Sequence, residues 1–172
     1  MHTILLASIA AAAVTSAASA QTADGSAYVG VGAGLINVDL EGLGDVTNTA
    51  LLGTAGYDFS RNLGIETQAL IGVTEDEILG VDVKINYAVS AFVVGRLPVG
   101  ETGSNLFARV GYGTAEAEAS GGGATFSDDD SGFAYGVGGE WAFAGPNTLR
   151  FDATLLEGND TTIYGISYIR RF

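Results

Sequence analysis

Most of the chain follows a two-residue period in which apolar side chains alternate with glycine or polar residues. In the stretch 62–71, Leu63 and Ile65 fall on one face, and Glu66 and Gln68 fall on the other. This is the pattern of a β-strand with one apolar face, because successive side chains point to opposite sides of a sheet. The pattern predicts eight strands, at about 26–38, 48–60, 62–72, 81–97, 105–118, 131–143, 147–156 and 161–172.

The links between these strands alternate between short and long. We therefore expect an antiparallel up-and-down sheet, with short turns at one end, longer loops at the other and no second domain. The short links are Ser60–Asn62, Pro98–Ser104 and Ala144–Asn147, and the long links are Asp39–Thr47, Val73–Gly80, Ala119–Asp130 and Glu157–Asp160.

The N-terminus has the pattern of an export signal. Ile4–Val14 is an apolar, alanine-rich run, and the small residues of 18–20 have the spacing of a cleavage site. The run is shorter than the ~20 residues that a membrane-spanning helix needs. We expect residues 1–20 to be a cleaved signal peptide and residues 21–172 to form the mature β-barrel domain.

Composition narrows the chemistry of the mature chain. The sequence has no cysteine, and its single histidine, His2, lies in the predicted signal peptide. Thiol and imidazole nucleophiles, bases and zinc ligands are therefore excluded from the mature protein, which leaves carboxylate chemistry. Seven basic residues against twenty acidic ones also argue against nucleic-acid binding, which needs cations at the phosphates.

Two kinds of barrel fit these strands. A soluble, lipocalin-like barrel buries its apolar face, whereas a transmembrane barrel turns that face to lipid and fills its lumen with polar residues and glycine. Here the apolar face carries aromatic residues near the strand ends, and the opposite face is rich in glycine. We therefore predict an all-β, eight-stranded antiparallel transmembrane β-barrel; a soluble periplasmic barrel is the alternative. The aromatic residues are Tyr57, Phe59, Trp141, Phe143, Tyr168 and Phe172 beside the short turns, and Tyr112, Phe133, Tyr135 and Tyr164 toward the longer loops.

Seven short segments of the chain are similar, in the same order, to segments of a known family. They are Tyr28–Gly32, Gly56–Phe59, Asn62–Glu66, Gly95–Pro98, Leu106–Gly111, Gly139–Phe143 and Tyr168–Phe172. Together they resemble the small outer-membrane β-barrels of Gram-negative bacteria, of the OmpA type. The resemblance implies an outer-membrane location, short periplasmic turns, longer extracellular loops, contact with lipid and lipopolysaccharide, and a monomer.

The resemblance also implies a role for the last strand. Tyr168 and Phe172 match the family's assembly signal, which the barrel-assembly machinery reads after periplasmic chaperones have delivered the chain. Arg170 departs from the family pattern, in which an apolar residue is usual at this position. We expect its long side chain to extend to the periplasmic interface.

A layer of charge is predicted inside the barrel. Glu66, Arg109, Glu140 and Arg150 each lie about three or four residues from the short-turn end, which at ~3.3 Å per residue puts them at one height. The resembled family carries inward Glu and Arg at the matching positions. The other charges expected to face the lumen are Arg96, Asp152, Asp82 and Lys84.

Three roles are open for this layer: a network that plugs the barrel, a switchable gate in a narrow pore, and a carboxylate enzyme site. Eight strands leave little interior once side chains fill it, which favours the plug.

The acidic residues are concentrated on the longer loops. Thirteen lie there without any base, which equals the formal net charge of −13. They form either a solvated acidic face or a site for Ca²⁺ or Mg²⁺, for which Asp128, Asp129 and Asp130 are the candidates, because hard cations take oxygen ligands. The thirteen are Asp39, Glu41, Asp45, Glu75, Asp76, Glu77, Glu116, Glu118, Asp128, Asp129, Asp130, Glu157 and Asp160.

These patterns combine into one functional prediction. We expect a non-catalytic outer-membrane barrel without a cofactor, which has a structural role in the envelope or interacts at the surface. The alternative is a narrow, porin-like channel for ions or small solutes, gated by the layer of Glu66, Arg109, Glu140 and Arg150.

Overall fold

The computed structural model describes the backbone of residues 25–40, 44–73, 76–78, 81–121, 124–157 and 161–172, and their side chains except at 38–40, 44–46, 76–78, 81–86, 117–121 and 124–130. Within these ranges no helix is long and apolar enough to cross a membrane. The strands are β1 (Ser26–Leu40), β2 (Gly44–Asp58), β3 (Leu63–Gly72), β4 (Asp76–Ile78), β5 (Val81–Val99), β6 (Ser104–Gly121), β7 (Ala124–Ala144), β8 (Asn147–Leu156) and β9 (Thr161–Arg171).

The strands close into a barrel. Long strands that follow one another pair antiparallel, and β1 also pairs with β9, where Tyr28 stands opposite Arg171. β3 pairs directly with β5, and the three-residue β4 only extends the sheet beside the start of β5. The predicted eight-stranded antiparallel barrel is therefore confirmed, and β4 is an addition that the hydrophobic pattern did not predict.

The apolar faces of the strands point outward. Val31, Leu97 and Val137 are 67%, 64% and 62% exposed, whereas Arg150 is 1% exposed. A water-soluble barrel would bury its apolar side chains and expose its charged ones. Exposing apolar surface to water costs free energy, and so does burying an unpaired polar group. This is the arrangement of a transmembrane barrel and not of a lipocalin-like one.

Aromatic side chains mark both ends of the outward apolar surface. Near the short turns, Phe143 lies between Trp141 and Tyr168, with ring centroids 6.5 Å apart in each pair. Toward the other end, the rings of Tyr112 and Phe133 meet edge to face at 5.7 Å. Amphipathic rings at the two boundaries are typical of a membrane-spanning barrel.

The short turns lie where the sequence predicts them. They connect β2 to β3, β5 to β6, and β7 to β8, and two of them contain glycines with positive φ. Gly100 has a φ of 68°, Gly103 of 81° and Gly145 of 56°. Residues other than glycine rarely adopt this left-handed backbone conformation, so these turns require glycine at the three positions.

The opposite end differs from the prediction. β1 continues to Leu40, β6 continues to Gly121, and β7 already begins at Ala124 instead of near residue 131. Asp128, Asp129 and Asp130 therefore lie in a strand and not in a long loop. The predicted ends of these strands were wrong because they rest on apolar alternation, and backbone pairing outside the hydrocarbon region does not need that alternation.

The lumen is also less polar than expected. An apolar layer fills it toward the end opposite the short turns, and a second apolar cluster lies against β5, β6 and β7. The alternation did not identify the layer because its residues sit in continuous apolar runs, such as 69–71, where both faces look alike. The apolar layer consists of Ile36, Ala50, Leu52, Leu70, Ala88 and Ile163, and the second cluster of Phe92, Val94, Phe107 and Ala134.

Candidate functional site

A closed circuit of hydrogen bonds and ion pairs crosses the lumen near the short turns. Arg150 of β8 donates to Glu66 of β3 at 2.6 Å and to Glu140 of β7 at 2.7 Å. Arg96 of β5 contacts Glu140 at 3.4 Å and donates to the hydroxyl of Tyr28 at 2.9 Å. The Tyr28 hydroxyl, on β1, donates to Glu66 at 2.8 Å and completes the circuit. We call these five residues the charge ring.

Arg109 extends the ring toward the apolar layer. Its guanidinium donates to Glu66 at 2.5 Å, to Asp152 at 2.6 Å and to the Thr154 hydroxyl at 2.6 Å. Its Nη2 also lies 3.4 Å from the amide oxygen of Gln68. Each carboxylate reached by Arg109 is almost fully buried, so these pairs form in a region where solvent screens charge weakly.

Six of the eight charged residues predicted to face the lumen are brought together: Glu66, Arg96, Arg109, Glu140, Arg150 and Asp152. The side chains of Asp82 and Lys84 lie outside those that the structure describes. Two other charges join the network. Asp58 pairs with Arg96 and with Arg171, and Arg171 also contacts Glu140 at 2.6 Å. The described lumen network therefore contains four carboxylates and four guanidinium groups, which balances its formal charge.

Sequence reasoning missed Tyr28, Asp58 and Arg171 as members of this network. The strand period contained the signal, since Arg171 is two residues from the buried Ile169 and has the same inward parity. Their positions near strand ends suggested turn or interface residues instead. Only closure of the barrel brings Asp58 and Arg171, 113 positions apart, into contact.

Aromatic rings support the guanidinium groups from within the lumen. The Cζ atom of Arg109 lies 4.5 Å from the centroid of Phe92, and that of Arg150 lies 4.9 Å from the centroid of Phe107. Tyr28 faces both Arg150 and Arg96, at 5.7 and 5.1 Å. Cation–π contacts of this kind stabilise a buried guanidinium that has lost its hydration.

Three buried polar atoms in the described part of the lumen lack a hydrogen-bond partner within the protein: Arg109 Nε, Asp152 Oδ1 and Ser167 Oγ. All three lie on strands β6, β8 and β9. Buried polar groups of this kind are commonly satisfied by ordered water. The charged part of the lumen is therefore polar enough to admit water, unlike the apolar layer.

The two residues of the predicted assembly signal lie on the outer face. Tyr168 and Phe172 are 40% and 45% exposed, and the Tyr168 hydroxyl donates to Asn147 at 2.5 Å. The guanidinium of Arg170 lies over the ring of Phe172, with its Cζ atom 5.8 Å from the centroid. Their role in assembly stays a prediction.

The proposed metal ligands lie at the far end of β7. The register pairs Asp129 with Glu116 and Asp130 with Ala115 across the β6–β7 ladder. The side chains of 128–130 are outside the described set, and the described side chains contain no group of three or more potential metal ligands. Binding of Ca²⁺ or Mg²⁺ by these residues stays a prediction.

Comparisons with known proteins agree with this geometry. The profile of the outer membrane protein beta-barrel domain family matches residues 4–168. No curated protein sequence gives a significant match.

Several solved structures with a similar fold are outer-membrane proteins of low sequence identity to this chain. The chain is similar to Ail, the attachment invasion locus protein of Yersinia pestis, solved in complex with the heparin analogue sucrose octasulfate (18% identity, 87% of this chain and 99% of that chain, TM-score 0.67). It is also similar to OprG of Pseudomonas aeruginosa (14% identity, 87% of this chain and 96% of that chain, TM-score 0.64). A third similar structure is Neisserial surface protein A (14% identity, 84% of this chain and 95% of that chain, TM-score 0.62). This chain thus belongs to the outer membrane protein beta-barrel domain family, located in the outer membrane of the Gram-negative envelope.

Proposed function

We propose that this protein is a closed, non-catalytic barrel that serves the outer membrane as a structural element or as a scaffold for contacts at the cell surface. The observation that supports a closed barrel is the double filling of its lumen. An ion moving along the axis meets the charge ring, whose charges are paired, and then the apolar layer around Leu52 and Leu70. A narrow apolar constriction excludes hydrated ions because it offers them no polar partner.

The non-catalytic part of the proposal rests on the state of the carboxylates. Glu66, Glu140 and Asp152 are buried, and each is paired with at least one guanidinium. A general acid or base needs a pKa matched to its task and access to a substrate. Carboxylates neutralised by buried arginines fit a structural network better than they fit catalysis.

Conductance across planar lipid bilayers tests the closed barrel. We expect neither the wild-type protein nor the variant Arg150→Ala to conduct ions, because the apolar layer still blocks the lumen in both. The variant L52A/L70A keeps the charge ring and is expected to be silent as well. Only the combination of all three substitutions is expected to conduct.

A gated channel is the second candidate, and one feature of the ring favours it. Among the described side chains Arg150 is the one that contacts both Glu66 and Glu140 directly, so rotation of one side chain would open two contacts at once. Two polar atoms without protein partners, Arg109 Nε and Asp152 Oδ1, lie beside the ring, and opening of the ring would expose them to water. Under this hypothesis Arg150→Ala by itself raises the conductance, a result that would reject the closed barrel.

We further propose that residues 1–20 are removed on export. N-terminal sequencing of the protein extracted from outer membranes should then begin at Gln21. A chain that still begins at Met1 would contradict cleavage. Export in this form requires periplasmic chaperones and the barrel-assembly machinery, which would recognise Tyr168 and Phe172.

Contacts at the acidic end are proposed to involve divalent cations. Ail was solved with a polysulfated ligand; here the acidic residues at the end opposite the short turns would repel such a polyanion. Ca²⁺ or Mg²⁺ could instead bridge these carboxylates to lipopolysaccharide phosphates. Ca²⁺ should slow proteolysis of this end in the wild-type protein and not in D128N/D129N/D130N. Equal protection of both proteins would contradict binding by these residues.

A further inference from the structure

Arg170 places a cation on the lipid-facing surface of the barrel. It follows Ile169, which is fully buried in the lumen, and its own side chain is exposed, so alternation along β9 turns it outward. In the sheet it stands opposite Val29 of β1 and Asn147 of β8. An outward-facing guanidinium in a membrane-spanning strand is costly in the hydrocarbon region and tolerated near the interface.

The environment of Arg170 differs from that of the other arginines in strands. No carboxylate forms an ion pair with it among the side chains that the structure describes, and its guanidinium lies against the ring of Phe172 instead. The arginines that pair with carboxylates in the lumen are Arg96, Arg109, Arg150 and Arg171. The charge of Arg170 is therefore left for a partner outside the protein.

The aromatic residues give the depth of Arg170 in the membrane. Tyr168, Phe143 and Trp141 form a row of exposed rings near the short turns. Such rows lie at the level of the lipid headgroups. Arg170 lies two residues beyond Tyr168, or roughly 7 Å at ~3.3 Å per residue, toward the aqueous side. This is where the phosphates of a phospholipid leaflet lie.

We propose that Arg170, oriented by the ring of Phe172, is a binding site for the phosphate group of a phospholipid in the leaflet at the short-turn end. A guanidinium donates two parallel hydrogen bonds to a phosphate, a geometry that a point charge does not reproduce. The contact with Phe172 restricts the long side chain and so reduces the entropy lost on binding. The site thus anchors the rim of the barrel to the headgroup layer.

The single tryptophan of the chain provides a reporter for this site. Trp141 is 60% exposed, and it stands in the same row as Leu149 and Tyr168 across β7, β8 and β9. Lipids with brominated acyl chains quench tryptophan fluorescence at short range. The refolded protein in dodecyl maltoside micelles is titrated with brominated phosphatidylglycerol and, separately, with brominated diacylglycerol, which has no phosphate.

We expect phosphatidylglycerol to quench wild-type Trp141 at about fivefold lower mole fraction than diacylglycerol, the preference expected for one basic group at a membrane surface. Arg170→Gln should abolish this preference and Arg170→Lys should retain part of it. Arg61→Gln is the matched control, since Arg61 is exposed in the turn between β2 and β3 and lies off the strand surface. Trp141 of this variant should show the same preference for quenching by phosphatidylglycerol as Trp141 of the wild type.

Two results would overturn the proposal. One is equal quenching of the wild-type protein by the two lipids, or a preference that survives Arg170→Gln. The other is loss of the preference when glycerol 3-phosphate is added at millimolar concentration, which would make Arg170 a general anion site and not a phospholipid site. The comparison of the two lipids on the wild-type protein needs no variant, so a refolding failure of Arg170→Gln would not remove the test.

Discussion

Tyr28 connects the two halves of the charge ring through a single oxygen atom. Its hydroxyl donates to Glu66 and accepts from Arg96, and its ring faces three guanidinium groups. Burying such a hydroxyl is favourable only when its partners are present, because a buried polar group without a hydrogen bond costs free energy. Tyr28 therefore stabilises the network and connects β1 across the lumen to β3 and β5.

The variant Tyr28→Phe removes the hydroxyl and keeps the ring. We expect the free energy of unfolding to fall by ~1–3 kcal/mol, because Glu66 and Arg96 each lose a hydrogen bond to a charged group. Equilibrium urea unfolding of the refolded protein in lipid vesicles measures the change. Tyr164→Phe, on the lipid-facing surface, is the control and should change it by less than ~0.5 kcal/mol. Equal effects of the two variants would contradict the role of the ring.

Gly136 shows why the inward face is rich in glycine. A Cβ atom at this position would lie 2.7 Å from Arg109 Nε and 3.0 Å from the Thr154 hydroxyl. The missing side chain therefore makes room for the guanidinium of Arg109. Gly56 does the same for the ring of Tyr28.

Gly136→Ala tests this explanation. We expect it to lower the free energy of unfolding by ~1–3 kcal/mol, as overpacking of a filled interior does. Gly53→Ala is the matched control, because a Cβ there meets only a backbone oxygen at 4.0 Å on the outer face. The same urea measurement should show the control to be neutral or slightly stabilising. A harmless Gly136→Ala would mean that the lumen has spare volume beside Arg109.

At the scale of elements, β7 is longer than the barrel requires. β8 pairs with it only as far as Leu156 opposite Ala134, whereas the ladder with β6 continues to Ala124 opposite Gly121. The outer part of the β6–β7 hairpin is thus paired on one side only: β6 pairs with the first residues of β5, such as Asp82 opposite Ser120, whereas β7 has no described partner there other than β6. Its pairing adds little to a barrel whose closure depends on the segments with two neighbours.

Shortening this hairpin should therefore leave the barrel intact. Residues 118–127 are replaced by Asn-Gly, which forms a two-residue turn between the paired positions Ala117 and Asp128. We expect the folded band in an unboiled electrophoresis sample and the midpoint of urea unfolding to stay unchanged. Loss of the folded band would show that the outer hairpin contributes to folding.

The whole molecule is electrically asymmetric. The described lumen network is balanced, the short-turn end carries Arg61, Glu101 and Arg170, and the ten loop acids whose backbone the structure describes lie at the other end, as the strand directions require. The thirteen acidic residues that the sequence assigns to the longer loops equal the formal net charge of −13, because the remaining seven acidic and seven basic residues balance. This dipole gives the two ends different electrostatic potentials.

Proteolysis of whole cells tests the orientation of this dipole. With the short turns in the periplasm, trypsin added to intact cells should not cut after Arg61, whereas a glutamyl endopeptidase should cut after the exposed Glu157. Permeabilised cells should show both cuts, and mass spectrometry of the fragments identifies them. Cutting after Arg61 in intact cells would reverse the orientation.

The sequence by itself determined the strand pattern and which side chains share a face, because both depend on local alternation, and it predicted the outward apolar face of a closed barrel from the aromatic residues and glycines. It placed eight charged residues on the inward face, and the structure describes the side chains of six of them. It left undetermined the inward roles of Tyr28, Asp58 and Arg171. It also misplaced the outer ends of β1, β6 and β7. The tertiary structure decided these points, because lumen contacts join residues from strands far apart in the chain, and because pairing beyond the lipid boundary depends on a neighbouring backbone and not on side-chain period.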